Sequence, residues 1–139
     1  MQWFEVEAEG FCLLENVIDE QAIDDLLEDL SNLPNNQHKK GVYGVRNLLN
    51  LSPKVRKFAE SSTVRKITEN FLGTNAKVVR AIYFDKTLNA NWKVPWHQDL
   101  TISVAEKLET AGFSAWSIKD KIQHVQPPIE VLEKMLTLR

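Results

Sequence analysis

The run Trp92-Lys93-Val94-Pro95-Trp96-His97-Gln98-Asp99-Leu100-Thr101 decides how this chain is read. It has the β-branched and aromatic content of a strand, and a strand is expected from Trp92 through Val104. Residues two apart on a strand share a face, so His97 and Asp99 would project side by side and Gln98 would point away. An imidazole next to a carboxylate supplies two members of the 2-His-1-carboxylate set that holds divalent iron in proteins. His-x-Asp alone is a common spacing. Its setting raises its value: Trp92, Pro95 and Trp96 would give the apolar surround that a metal site needs.

Working outward, the preceding segment from Lys77 to Lys86 is rich in Val, Ile, Tyr and Phe and is β-like, with Asn89-Ala90-Asn91 as the connecting loop. Before Gly73 the period is helical. Asp19 caps a helix whose stripe is Ile23, Leu26, Leu27 and Leu30, and Ser31-Asn32-Leu33-Pro34 ends it. Ser52-Pro53 opens another helix with Val55, Phe58 and Ala59 inward. A third, from about Ser62, carries Val64, Ile67 and Phe71 and stops at Gly73. Gly10 to Leu14 is expected to be a short strand leading to a turn at Glu15-Asn16, and Gln37-His38-Lys39-Lys40 a polar, basic loop that runs into Gly41-Val42-Tyr43-Gly44-Val45-Arg46. Residues 105–128 look irregular, with a break at Pro127-Pro128, and Val131 to Arg139 is expected to be a closing strand. Helices over about 1–73 followed by strands over about 77–139 make one α+β domain spanning 1–139.

Composition sets the outer limits. With 139 residues, 43% of them hydrophobic, the chain has material for a real core. A net charge of −2 argues against a nucleic-acid partner, and no stretch has the length of a membrane span. The single cysteine, Cys12, excludes an internal disulfide, reads as a small buried apolar residue and suits a cytoplasmic setting.

Two longer blocks carry a resemblance. Gly10-Phe-Cys-Leu-Leu-Glu-Asn-Val-Ile18, followed by the acidic amphipathic helix, resembles the opening of the phytanoyl-CoA dioxygenase family. Arg80-Ala-Ile-Tyr-Phe-Asp-Lys86 with Trp92 to Thr101 is similar to that family's metal-bearing strand pair, and His124-Val-Gln-Pro-Pro128 and Met135-Leu-Thr-Leu-Arg139 also look like it. The resemblance implies Fe(II)- and 2-oxoglutarate-dependent oxygenase chemistry on a small organic substrate. It also implies a double-stranded β-helix, the jelly roll of cupins, with the N-terminal helices packed on it.

Carried onto this chain, the resemblance makes His97 and Asp99 the catalytic metal ligands. Lys86, Ile82 and Arg46 would line the 2-oxoglutarate side, while His124 and Trp96 would lie at the substrate pocket, His124 on a loop near its mouth. The family's distal histidine and its 2-oxoglutarate-pairing arginine would follow in strands beyond Arg139, so the chain is expected to be a truncated form lacking the C-terminal strands. Self-association through unpaired sheet edges, with a partner copy donating a ligand, is then an option. The rival expectations are a catalytically inactive remnant and a metal-free small-molecule-binding module. His38, beside Lys39 and Lys40, reads as solvated.

Overall fold

The computed structural model describes residues 4–33, 44–86, 93, 95 and 97–139. Trp92, Val94, Trp96, His38 to Tyr43 and the Asn89-Ala90-Asn91 loop lie outside the described residues. The architecture is α+β: helices α1 (Phe4–Glu9), α2 (Glu20–Ser31), α3 (Leu48–Leu51), α4 (Pro53–Ala59), α5 (Ser62–Leu72) and α6 (Ile129–Leu132), with two small antiparallel sheets. One sheet pairs β1 (Gly44–Val45) with β2 (Tyr83–Phe84). The other holds β3 (Ile102–Val104), β4 (Ser114–Lys119) and β5 (Ile122–Gln126) in the order β3-β5-β4.

The helical half follows its caps. Asp19 Oδ1 accepts from the Ala22 amide at 2.7 Å and starts α2. Ser52 Oγ accepts from the Val55 amide at 2.9 Å, with Pro53 in the first turn of α4. The helix α5 is capped by Ser61, just before its first turn, whose Oγ accepts from the Val64 amide at 3.3 Å. Each side-chain oxygen satisfies an amide that the helix itself leaves without a partner. Gly73 closes α5 with φ of 77°, a conformation that side chains with a Cβ rarely adopt.

Leu30, Leu33 and Leu48 form the buried cluster of this half, and Val45, Leu51, Val55, Ala81 and Tyr83 pack against it. Full burial of a leucine contributes about 2 kcal/mol, so this small group carries much of the half's cohesion. The rest of the α2 stripe is less covered. Leu26 is half-buried, and Ile23 and Leu27 are exposed. On α5, Val64, Ile67 and Phe71 are half-buried.

Ser52 makes a second contact that sequence pattern does not reveal. It is 1% exposed, and its hydroxyl donates to Asp29 Oδ2 on α2. One hydroxyl thus caps α4 and ties α4 to α2.

The strands depart from expectation in five places. Gly10 to Leu14 forms no strand. Instead α1 precedes it, Gly10 takes φ of 80°, and the Gly10 amide donates to Val6 O at 3.0 Å, closing the helix. A short apolar run becomes a strand only when a neighbour completes the ladder, and among the described residues none pairs with this segment. Where a turn at Glu15-Asn16 was expected the chain bends over 16–18, with Asn16 at φ 54°.

For the same reason, Lys77 to Lys86 narrows to Tyr83–Phe84. Of the described part of Trp92 to Val104, only Ile102–Val104 lies in a ladder, so His97 and Asp99 stand outside any strand.

Residues 105–128 are more regular than expected, because they hold the β4–β5 hairpin. Its two-residue turn is Asp120-Lys121, at φ 49° and 66°, between the paired residues Lys119 and Ile122. Two positive φ angles suit the right-handed twist of a hairpin, but the usual glycine or asparagine signal is missing at Lys121. A bulge between Ser114 and Ser117, with Ala115 at φ 49°, further blurs the period. Finally, Val131 to Arg139 is no strand. The helix α6 starts after Pro128 and ends by Leu132. Residues 135–139 beyond it pair with no strand among the described residues.

Ser52→Ala is expected to lower stability by about 1–2 kcal/mol, through loss of the cap and of the Asp29 donor together, read from the midpoint of denaturant unfolding. Tyr83 supplies a pH test. Burial, and then the nearby Asp85 carboxylate, raise its phenol above the ordinary value near 10. The fold therefore favours the neutral phenol. Its contribution is complete below pH about 10 and is lost as pH rises through the higher folded value. Tyr83→Phe should accordingly flatten the loss of stability above pH about 10 in alkaline unfolding curves.

Candidate functional site

His97 and Asp99 meet although no ladder holds them. The His97 Nδ1 lies 2.9 Å from the carbonyl oxygen of Pro95. A carbonyl only accepts, so Nδ1 carries the proton, and in the neutral ring Nε2 is left as a bare lone pair. That nitrogen faces Asp99 Oδ1 at 3.8 Å. Two acceptors turned toward one another repel unless a cation or a proton comes between them. A backbone carbonyl that fixes the tautomer is also the usual partner of a metal-binding histidine.

Neighbouring donors about 2.1 Å from an octahedral ion lie about 3.0 Å apart, so the observed 3.8 Å is wider than a bound pair and the two exposed side chains would have to close around a shared ion. In type, the donors are the histidine and carboxylate that divalent iron sites use. Among the described residues no group of three or more His, Cys, Asp or Glu side chains gathers as a metal cluster.

The other oxygen of Asp99, Oδ2, faces Arg80 Nη2 at 4.0 Å. The side chains of His97 and Asp99 are 54% and 66% exposed and that of Arg80 is 34% exposed. At such exposure the ion pairs are screened and contribute little to folding. Their importance is geometric.

The remaining expected site residues divide. Ile82 is half-buried, one position before β2, and Lys86 is exposed two positions after it. Arg46 pairs with Asp120 in the β4–β5 turn at 3.7 Å, which links the loop after β1 to the three-stranded sheet. Trp96 is outside the described residues.

His124 is a correction: it does not lie on a loop at a pocket mouth. It sits on β5, 3% exposed, in register with Ser103 on β3 and Ser117 on β4. Its Nδ1 donates to the Ile122 carbonyl at 3.0 Å, and its Nε2 lies 3.2 Å from Ser103 Oγ. Both ring nitrogens are thereby engaged in holding the sheet, which removes the imidazole as a ready third ligand.

Arg80 is the residue that sequence reasoning missed. Residue 80 shares a face with Ile82 and Lys86 by the two-residue period of extended chain, so the signal was present. A separate open hollow of about 600 Å³ lies where α3, α4 and the start of α5 meet, bordered by Leu49, Pro53, Arg56 and Glu60. None of the expected site residues lines it, and its arginine is engaged: Arg56 donates to Leu49 O at 2.6 Å and to Asn50 Oδ1 at 2.8 Å.

Comparison of the chain with models of known protein families, with curated proteins and with solved structures finds no match. Among the described residues no helix is long and apolar enough to cross a membrane.

Proposed function

We propose that this chain is an Fe(II)- and 2-oxoglutarate-dependent dioxygenase-family protein whose small helices and strands belong to a jelly-roll oxygenase domain acting on a small organic substrate. The observation that carries the reading is the pairing of the His97 Nε2 lone pair with Asp99 Oδ1 at 3.8 Å while Nδ1 is tied to Pro95 O. It is joined by the resemblance of the 80–86 and 92–101 blocks to that family.

In this reading His97 and Asp99 hold the iron, and the metal with 2-oxoglutarate and oxygen supplies the oxidising chemistry. The residues of the chain bind and orient. Pro95 O fixes the tautomer of His97, and Arg80 stands on the far oxygen of Asp99. Ile82 and Lys86 are placed on the cofactor side by the resemblance, Lys86 as a cation for a carboxylate of 2-oxoglutarate. Trp96 is assigned to the pocket wall on the same ground. A complete facial set needs a second histidine, and a further strand of the same protein or a partner copy would supply it.

The test is anaerobic addition of Fe(II) and 2-oxoglutarate to the purified chain, followed by visible absorption. A charge-transfer band that disappears in His97→Ala supports the reading. Iron binding too weak to detect, with no band in either protein, contradicts it and leaves a metal-free module or an inactive remnant.

A further inference from the structure

We infer that Arg80 is a positioning residue of the His97/Asp99 site, an inference that rests on the reading of that pair as a cation site. Asp99 divides its two oxygens: Oδ1 faces the imidazole at 3.8 Å and Oδ2 faces the Arg80 guanidinium at 4.0 Å. An exposed aspartate turns freely about its side-chain bonds. A cation held at one oxygen reduces that freedom and leaves the other oxygen for His97.

Arg80 can act as such a reference point because the backbone beside it is held. Ala81 packs against the Leu30, Leu33 and Leu48 cluster, and its carbonyl accepts from the Leu48 amide at 3.4 Å. Two residues on, Tyr83 packs on the same cluster and pairs with Val45 in the β1–β2 ladder. The arginine is also the least exposed of the three side chains. The helical half thus places Arg80, and Arg80 sets the direction of Asp99.

Two effects oppose each other when a divalent cation binds. The positive charge of Arg80 repels the cation, and its hold on Oδ2 presents Oδ1. We take orientation as the larger effect because the guanidinium lies at the carboxylate oxygen away from His97. Partners of metal ligands commonly change affinity by ~10–100-fold when removed.

Mn(II) serves as an air-stable probe, with free ion measured by electron paramagnetic resonance and the unfolding midpoint measured in parallel. His97→Ala should abolish site binding. Arg80→Met should weaken Mn(II) by about tenfold with an unchanged midpoint, and Arg80→Lys, which keeps the charge, should recover part of the loss. Arg80→Met binding as tightly as the parent chain, or more tightly, overturns the positioning role while the cation site stands. Equal Mn(II) binding by the parent chain and His97→Ala removes the site itself, and both readings fall together. If Arg80→Met does not fold, Arg80→Lys decides: weakened binding with the parent's midpoint supports the role, and unaltered binding overturns it.

Discussion

The segment from Arg80 to Phe84 is the constraint on which the rest of the structure depends. Ala81 and Tyr83 are pressed against the Leu30, Leu33 and Leu48 cluster, and the Ala81 carbonyl takes the Leu48 amide. Arg80, interleaved with them, reaches Asp99. A stretch of extended chain with a period of two can serve two surfaces at once, one apolar and one polar. The polar surface inherits its position from the apolar one. That is why a site built on irregular backbone still has a defined geometry.

The helical half owes its coherence to a few polar atoms as much as to its leucines. Three helices are capped by an Asp or Ser oxygen, and one of those oxygens, Ser52 Oγ, also engages Asp29 across the α2–α4 contact. Buried and doubly bonded, it joins local structure to tertiary packing. A comparable tie, of exposed groups, links the loop after β1 to the hairpin through Arg46 and Asp120. The three-stranded sheet has its own internal fastening in the Ser103–His124–Ser117 row. This row explains why a histidine that looks like a ligand candidate in the sequence is a structural residue in the fold.

The boundaries of α2, α4 and α5 were legible because their signals are local, whereas the short helices α1, α3 and α6 were not expected. Asp19, Ser52-Pro53 and Gly73 each act on amides or angles within a few residues of themselves. Strands were less legible because a strand exists only through a distant partner. Gly10 to Leu14 and most of Lys77 to Lys86 have the side chains of strands and no ladder. The β4–β5 hairpin has the ladder and lacks the turn chemistry, since Asp120-Lys121 takes left-handed angles without a glycine. The candidate pair His97 and Asp99 was legible from its spacing alone, although the strand that was to align them is absent there. The pairing of Asp99 with Arg80 joins residues from two segments, and only the two-residue period of 80–86 hinted at it.

The central claim is that His97 is held ready for a cation, with the proton on Nδ1 and Nε2 bare toward Asp99. Long-range proton–nitrogen correlation spectra of the imidazole, recorded on ¹⁵N-labelled protein at a pH where the ring is neutral, measure this directly. The account predicts the Nδ1–H tautomer for His97, and its collapse toward the Nε2–H form, common in free imidazole side chains, would contradict it.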